Sequence, residues 1–150
     1  MKKIASFTVD HTTLLEGMYI SRKDGDITTY DIRMRKPNKG DYLDYKSMHT
    51  IEHLFATYAR NTRYEENIVY VGPMGCRTGF YFLTRDLPDE IALDIVLKSM
   101  EFIRDYEGEI PGNSPVECGN YLEHDLLKAK EDGRKMAEVL KNWSKEKMAY

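Results

Sequence analysis

The sequence is short of several things. Only two cysteines, Cys76 and Cys118, occur in 150 residues, which excludes a disulfide-stapled secreted scaffold. A net charge of −3 offers no basic surface, so no nucleic-acid partner is expected. No apolar run approaches the length of a membrane span. Met1-Lys2-Lys3 is basic, but Ile4 to Asp10 mixes in Ser, Thr and Asp, so no signal-peptide core follows. Internal repeats, low-complexity segments and linkers are absent as well. What remains is one cytoplasmic domain over residues 1–150, with no membrane contact and a core of moderate size. A reducing cytoplasm disfavours a Cys76–Cys118 bridge. Neither cysteine has the apolar neighbours of a structural thiol, which leaves reactive and metal-binding roles open.

What is present alternates and then turns helical. Ala5 to Asp10 is expected as a short strand or extended arm that ends at His11. Gly17 to Arg22 and Thr28 to Arg35 form two strand-like runs around Asp24-Gly25, a hairpin dipeptide. In the second run Tyr30, Ile32 and Met34 share one face. Asp31, Arg33 and Arg35 take the other, so Arg33 is expected as a solvated strand residue. Asn67 to Val71 and the aromatic run Gly79 to Thr84 are further strands. They flank a loop that holds Cys76, Arg77 and Thr78. Asp86 is an expected N-cap for a helix with Pro88 in its first turn. Asp125 is expected to cap a last helix that runs to about Ser144, weakened by Gly133. The final KEKMAY is expected to fray. The order predicts an α+β fold, an antiparallel sheet with its helices packed on one side.

The stretch Ser47 to Arg63, SMHTIEHLFATYARNTR, reads as the central helix, with Ser47 as its expected N-cap. At about 100° per residue, His49, Glu52 and His53 share a face that Ala56 and Arg60 continue. Ile51, Leu54, Phe55 and Tyr58 form the opposite, apolar stripe. Imidazoles at i and i+4 can reach one metal ion. Glu52 stands beside them as a proton carrier that need not be a ligand. The H-x-x-E-H order is the inverted zincin pattern.

Two histidines do not hold a catalytic metal firmly; a third ligand is needed, with a fourth position open. Cys118, Cys76, His124, His11 and Glu117 are the candidates, and the thiolates outrank the rest. The remaining cysteine can then serve as an acid–base group or nucleophile, since a nearby cation brings a thiol toward neutrality. Two other readings compete. An inverzincin-type peptidase shares H-x-x-E-H but leaves Cys76 without a task. A closed structural site would take His49, His53, Cys118 and Cys76 together.

Five segments carry a resemblance. SFTVDH at Ser6 to His11, YDIRMRKPN at Tyr30 to Asn38 and HTIEHLFATYAR at His49 to Arg60 are followed by two more. These are GPMGCRTGFY at Gly72 to Tyr81 and ECGNYLEHDLLKAK at Glu117 to Lys130. In order and spacing they are similar to the S-ribosylhomocysteine lyase family, the LuxS enzymes that make the autoinducer-2 precursor. The central helix and the GPMGC loop are the most specific pieces.

The resemblance implies a cytoplasmic carbon–sulfur lyase of methionine metabolism and quorum sensing. It would release homocysteine and 4,5-dihydroxy-2,3-pentanedione from S-ribosylhomocysteine. His49, His53 and Cys118 match the family's metal ligands, for one iron(II) (Fe2+) per subunit, with Zn2+ or Co2+ as substitutes. Cys76 matches its catalytic cysteine and Glu52 its general acid/base. Ser6, His11 and Arg33 match positions that meet the ribose, and Arg60 the homocysteine end. Tyr70 stands where some relatives carry an acidic residue. The family is a homodimer whose active sites lie at the interface. His124 is expected to be structural.

Overall fold

A computed structural model describes residues 1–150. The two alternating runs close as a hairpin, β1 (Gly17–Asp24) and β2 (Ile27–Arg33). A second hairpin joins β3 (Ile68–Pro73) to β4 (Gly79–Arg85). The four strands form one antiparallel sheet in the order β1-β2-β4-β3. β2 meets β4 in an unbroken register from Ile27 opposite Arg85 to Arg33 opposite Gly79.

Period two decides which side of the sheet is dry. Tyr30, Ile32, Phe80 and Phe82 are fully buried. They face α1 (Tyr45–Ala59), α2 (Asp89–Asp105) and α3 (Leu126–Leu140). The chain is therefore α+β, with an antiparallel sheet and its helices on one side. The α1 stripe supplies Ile51, Leu54 and Phe55, each 0% exposed. Phe55 lies 5.4 Å from the Phe82 ring and 6.4 Å from the Phe80 ring. Burying each such ring contributes roughly 2–3 kcal/mol, so this stripe is what seats the helix that carries His49 and His53.

Gly133 has a packing role. A Cβ there would lie 2.9 Å from Ile103 Cγ2. The missing side chain lets α3 approach α2 closely, which offsets its helix-propensity cost.

Several boundaries differ from expectation. Asp44, not Ser47, caps α1: its carboxylate accepts from the Lys46 and Ser47 amides. Ser47 is buried and donates to Asp132 of α3 at 2.6 Å. Asp132 also pairs with Arg35, so the hydroxyl locks α1 to α3 instead of starting a helix. Pro88, not Asp86, occupies the N-cap position of α2. Asp125 does cap α3, accepting from Lys128 N, and α3 ends at Leu140, before Ser144. The Ala5–Asp10 arm does not pair with the sheet; Ala5–Phe7 makes one 3-10 turn and leaves Phe7 exposed. The tail does not fray: Met148, the last residue of the 3-10 turn Lys145–Met148, is fully buried in the core.

Candidate metal centre

One half of the site is built by α1. Four residues spaced on one face bring the His49 and His53 rings to 4.7 Å, nearly perpendicular. Each ring is fixed from behind by a carbonyl oxygen. His49 Nδ1 lies 2.7 Å from Glu123 O, and His53 Nδ1 lies 2.8 Å from Pro111 O. A carbonyl only accepts, so both Nδ1 atoms carry a proton, and in the neutral rings it is Nε2 that holds the lone pair an ion can use. This backing of ligand imidazoles by carbonyls is what metal sites use to fix tautomer and orientation.

Both Nε2 atoms face one sulfur. Cys118 Sγ lies 3.3 Å from His49 Nε2 and 3.9 Å from His53 Nε2. Tetrahedral bonds to one ion put N and S about 3.6 Å apart. The two observed separations bracket that value, so the donors fit an ion of this size. Asn120 N, 3.5 Å from the sulfur, offers a hydrogen to a thiolate.

His124 joins the same group; its ligand atom and those of His49, His53 and Cys118 lie within 4.8 Å of one another. Its ring stacks on His49 at 4.0 Å. Thr50 decides its tautomer. The Thr50 hydroxyl has one hydrogen and directs it to Lys46 O. It must then accept from His124 Nδ1, 3.0 Å away, and from Asp125 N. His124 Nε2 is left buried and without a partner. Burial, followed by the neighbouring His49 and His53, pushes His124 down to about 4. His124 thus bonds near the start of α3, in line with its structural reading, and also stands among the candidate donors, whereas the Glu123 and Pro111 carbonyls carried no sequence signal. Pro111-Gly112 was visible as a loop. Its partner 58 positions away was not.

A cleft of about 380 Å³ adjoins His53 and is lined by Glu52, Thr57, Arg60 and Tyr70 among others. The Arg60 guanidinium is held by the carbonyls of Ile68 and Val69 in β3. A second cleft, of about 360 Å³, lies over the face of the sheet turned away from the helices, with Ser6, Thr29 and Tyr81 in its wall. Tyr70 lines both. His11 is turned onto its own loop, Nδ1 to Val9 O at 2.9 Å.

The other half is built by the sheet. Cys76 is exposed in the β3–β4 loop, with Sγ 3.0 Å from Thr78 Oγ1. Thr78 is buried and accepts from Arg33 Nη1 at 2.7 Å. Arg33 is not solvated, as its strand face had implied. Its side chain is 3% exposed and pairs with Asp31 at 2.6 Å. Tyr19 and Tyr81 stand opposite Asp31 on the neighbouring strands, so aromatic side chains cover the polar face. Burial pulls the Arg33 guanidinium down, but Asp31 and then Cys76 outweigh it and raise it above the usual guanidinium value. Cys76 does not belong to the four-residue donor group. Both cysteines are unbridged.

Known proteins are similar to this chain over its full length. The family model described as S-Ribosylhomocysteinase (LuxS) matches residues 4–147. An S-ribosylhomocysteine lyase of Phocaeicola vulgatus is 48% identical, over 100% of this chain and 98% of its own. That of Clostridium acetobutylicum is 47% identical, over 100% and 99%. One from Porphyromonas gingivalis is 48% identical, over 100% and 99%.

Proposed function

The chain belongs to the S-ribosylhomocysteinase (LuxS) family, and from that premise we propose how its residues divide the work of a carbon–sulfur lyase. It cleaves S-ribosylhomocysteine into homocysteine and 4,5-dihydroxy-2,3-pentanedione, the precursor of autoinducer-2. The convergence of two lone-pair Nε2 atoms on the Cys118 sulfur carries the reading. His49, His53 and Cys118 are the ligands in this proposal. Iron(II) is the ion, one per subunit, with zinc or cobalt able to replace it, because a donor set of two imidazole nitrogens and one thiolate sulfur suits all three. When bound, the ion acts as a Lewis acid on the sugar oxygens.

The chain's own residues move protons. The reaction is an isomerisation followed by an elimination, so no oxidant or water is consumed. Cys76 takes a proton from one sugar carbon and returns it to the next, twice. Glu52, in the cleft beside His53, carries protons between the sugar oxygens. A last carbon proton leaves to Cys76 or Glu52, and the C–S bond breaks to release homocysteine thiolate, which takes up a proton. Arg60 receives the homocysteine carboxylate from the same cleft. Ser6 and His11 meet the ribose, and Arg33, buried between Asp31 and Thr78, supports that side of the site from behind Cys76. All of this belongs to a single metal-dependent domain spanning residues 1–150.

Within one chain Cys76 stands outside the donor group, which supports a homodimer that completes each site across its interface. No helix is long and apolar enough to cross a membrane, and we assign the enzyme to the cytoplasm. The direct test is to incubate the iron-loaded protein, kept free of oxygen, with S-ribosylhomocysteine and follow free homocysteine thiol. No thiol release would overturn the assignment. Mixing inactive Cys76→Ala and Cys118→Ala chains tests the shared site: mixed dimers should regain activity, and a mixture that stays inactive removes the shared-interface reading.

A further inference from the structure

The end of the chain reaches the side of the sheet where Cys76 sits. The Trp143 indole donates to Met18 O at 2.7 Å, and Met148 is buried. Tyr150 then stacks on Tyr19 with ring centroids 5.2 Å apart. Its residue surface is 48% exposed, but its hydroxyl reaches inward and donates to Asp31 Oδ2 at 2.6 Å.

We propose that Tyr150 is a positioning residue for Cys76, acting through the Asp31–Arg33 pair and Thr78. It rests on the reading of Cys76 as the reacting thiol.

The contacts form one path. Asp31 Oδ2 takes both the Tyr150 hydroxyl and Arg33 Nη2, each at 2.6 Å. Arg33 Nη1 donates to Thr78 Oγ1 at 2.7 Å, and Thr78 Oγ1 lies 3.0 Å from Cys76 Sγ. Because Thr78 already accepts from Arg33, its own hydrogen is available to a thiolate. Two buried atoms have no partner, Asp31 Oδ1 and Arg33 Nε. They are the atoms that a two-pronged carboxylate–guanidinium pair would join. The pair is single-pronged, with Oδ2 shared between Tyr150 and Arg33.

The phenol hydrogen therefore has a job. It partly neutralises Asp31 and anchors Oδ2. Without it the carboxylate is free to turn and close the two-pronged pair. That would draw Nη1 away from Thr78 and cancel more of the cation near Cys76. Burial and the Asp31 carboxylate both push the Tyr150 phenol up, so it stays a donor. The titratable groups on this face are Tyr19 of β1 with Glu16 just before it, Arg22 at the cleft wall, Asp31 and Arg33 of β2, Tyr81 of β4, and Tyr150 itself. Arg77, next to Cys76, is engaged elsewhere, its guanidinium 4.7 Å from the Tyr45 ring centre.

Tyr150→Phe keeps the ring stack and removes one oxygen. The rate of Cys76 alkylation is followed across pH in the metal-loaded protein without substrate, with the modified peptide identified by mass spectrometry. The midpoint should move up by about half a pH unit, a roughly threefold loss of rate below it. An unchanged Cys76 profile in the folded variant would overturn the proposal. So would a shift seen with Tyr150→Ala but not with Tyr150→Phe, because the ring and not the hydroxyl would then matter. No turnover is read here, so the lyase assignment stands or falls separately, on homocysteine release.

Discussion

The two cysteines sit in opposite chemical surroundings. Cys118 lies among imidazoles whose far nitrogens are tied to Glu123 and Pro111 carbonyls. Cys76 lies on the rim of a sheet face where a buried arginine is shared between Asp31 and Thr78. The first surrounding offers lone pairs, which share a cation. The second offers donors and positive charge, which favour a thiolate without holding an ion. The same side chain therefore stands in two different surroundings, and the two tasks proposed for it follow from the neighbours, not from the sulfur.

The sharpest way to break this contrast is to remove each sulfur in turn. Cys118→Ala should lose its metal, read by elemental analysis, and with it all turnover. Cys76→Ala should keep full metal content and lose turnover by about 10³- to 10⁴-fold, the scale of a lost acid–base group. If Cys76→Ala lost the metal instead, the two surroundings would have been assigned the wrong way round.

Next in size is the ion pair on the Cys76 side. Asp31→Ala leaves Arg33 charged and unpaired, where both side chains are 3% exposed or less. Equilibrium denaturation should report a loss of about 3–5 kcal/mol. Metal affinity of the protein that remains folded should hold, because the donors lie on α1 and the Cys118 loop.

A change behind the donors should do the converse. Gly112 has φ +73°, and a Cβ there would lie 3.1 Å from His53 Nδ1. Gly112→Ala should therefore disturb the ring that Pro111 O orients. Metal affinity should fall by roughly tenfold, the lower end for a supporting residue, as measured by competition with a chelator. Alkylation of Cys76 should not change.

The smallest effect is expected at the helix cap. Asp44→Ala should cost about 1 kcal/mol, read from thermal or denaturant unfolding. Burial pushes the Asp44 carboxyl up, but the Lys46 and Ser47 amides and Lys128 outweigh it and lower it overall. A carboxylate lowered in the folded state contributes stability above its unfolded value and loses it as pH falls through the folded one. The difference between wild type and Asp44→Ala should thus shrink in acid. A constant difference would remove the capping role.

Legibility in the sequence followed the range of the interaction. The H-x-x-E-H face, the apolar stripe of Ile51, Leu54 and Phe55, and the Asp24-Gly25 hairpin are all set by neighbours a few residues apart. Helical and strand periods are backbone properties, so these could be read directly. Ser47 was misread because its partner, Asp132, lies on another helix. Arg33 was misread because alternation gives the face but not what covers it. The tail was misread because nothing local requires KEKMAY to be ordered; Met148 is held by the core and Tyr150 by Asp31.

By itself, then, the sequence determined the α+β order of elements and the pair of imidazoles on one helix face. Only the tertiary structure decided that Cys118 meets both Nε2 atoms, that His124 stands beside them, and that Arg33 is buried with Asp31 under the tail. Local spacing fixes where side chains point along a helix or strand. Which distant carbonyl, carboxylate or ring satisfies them depends on chain crossings, which buried apolar area holds together and no short-range pattern encodes.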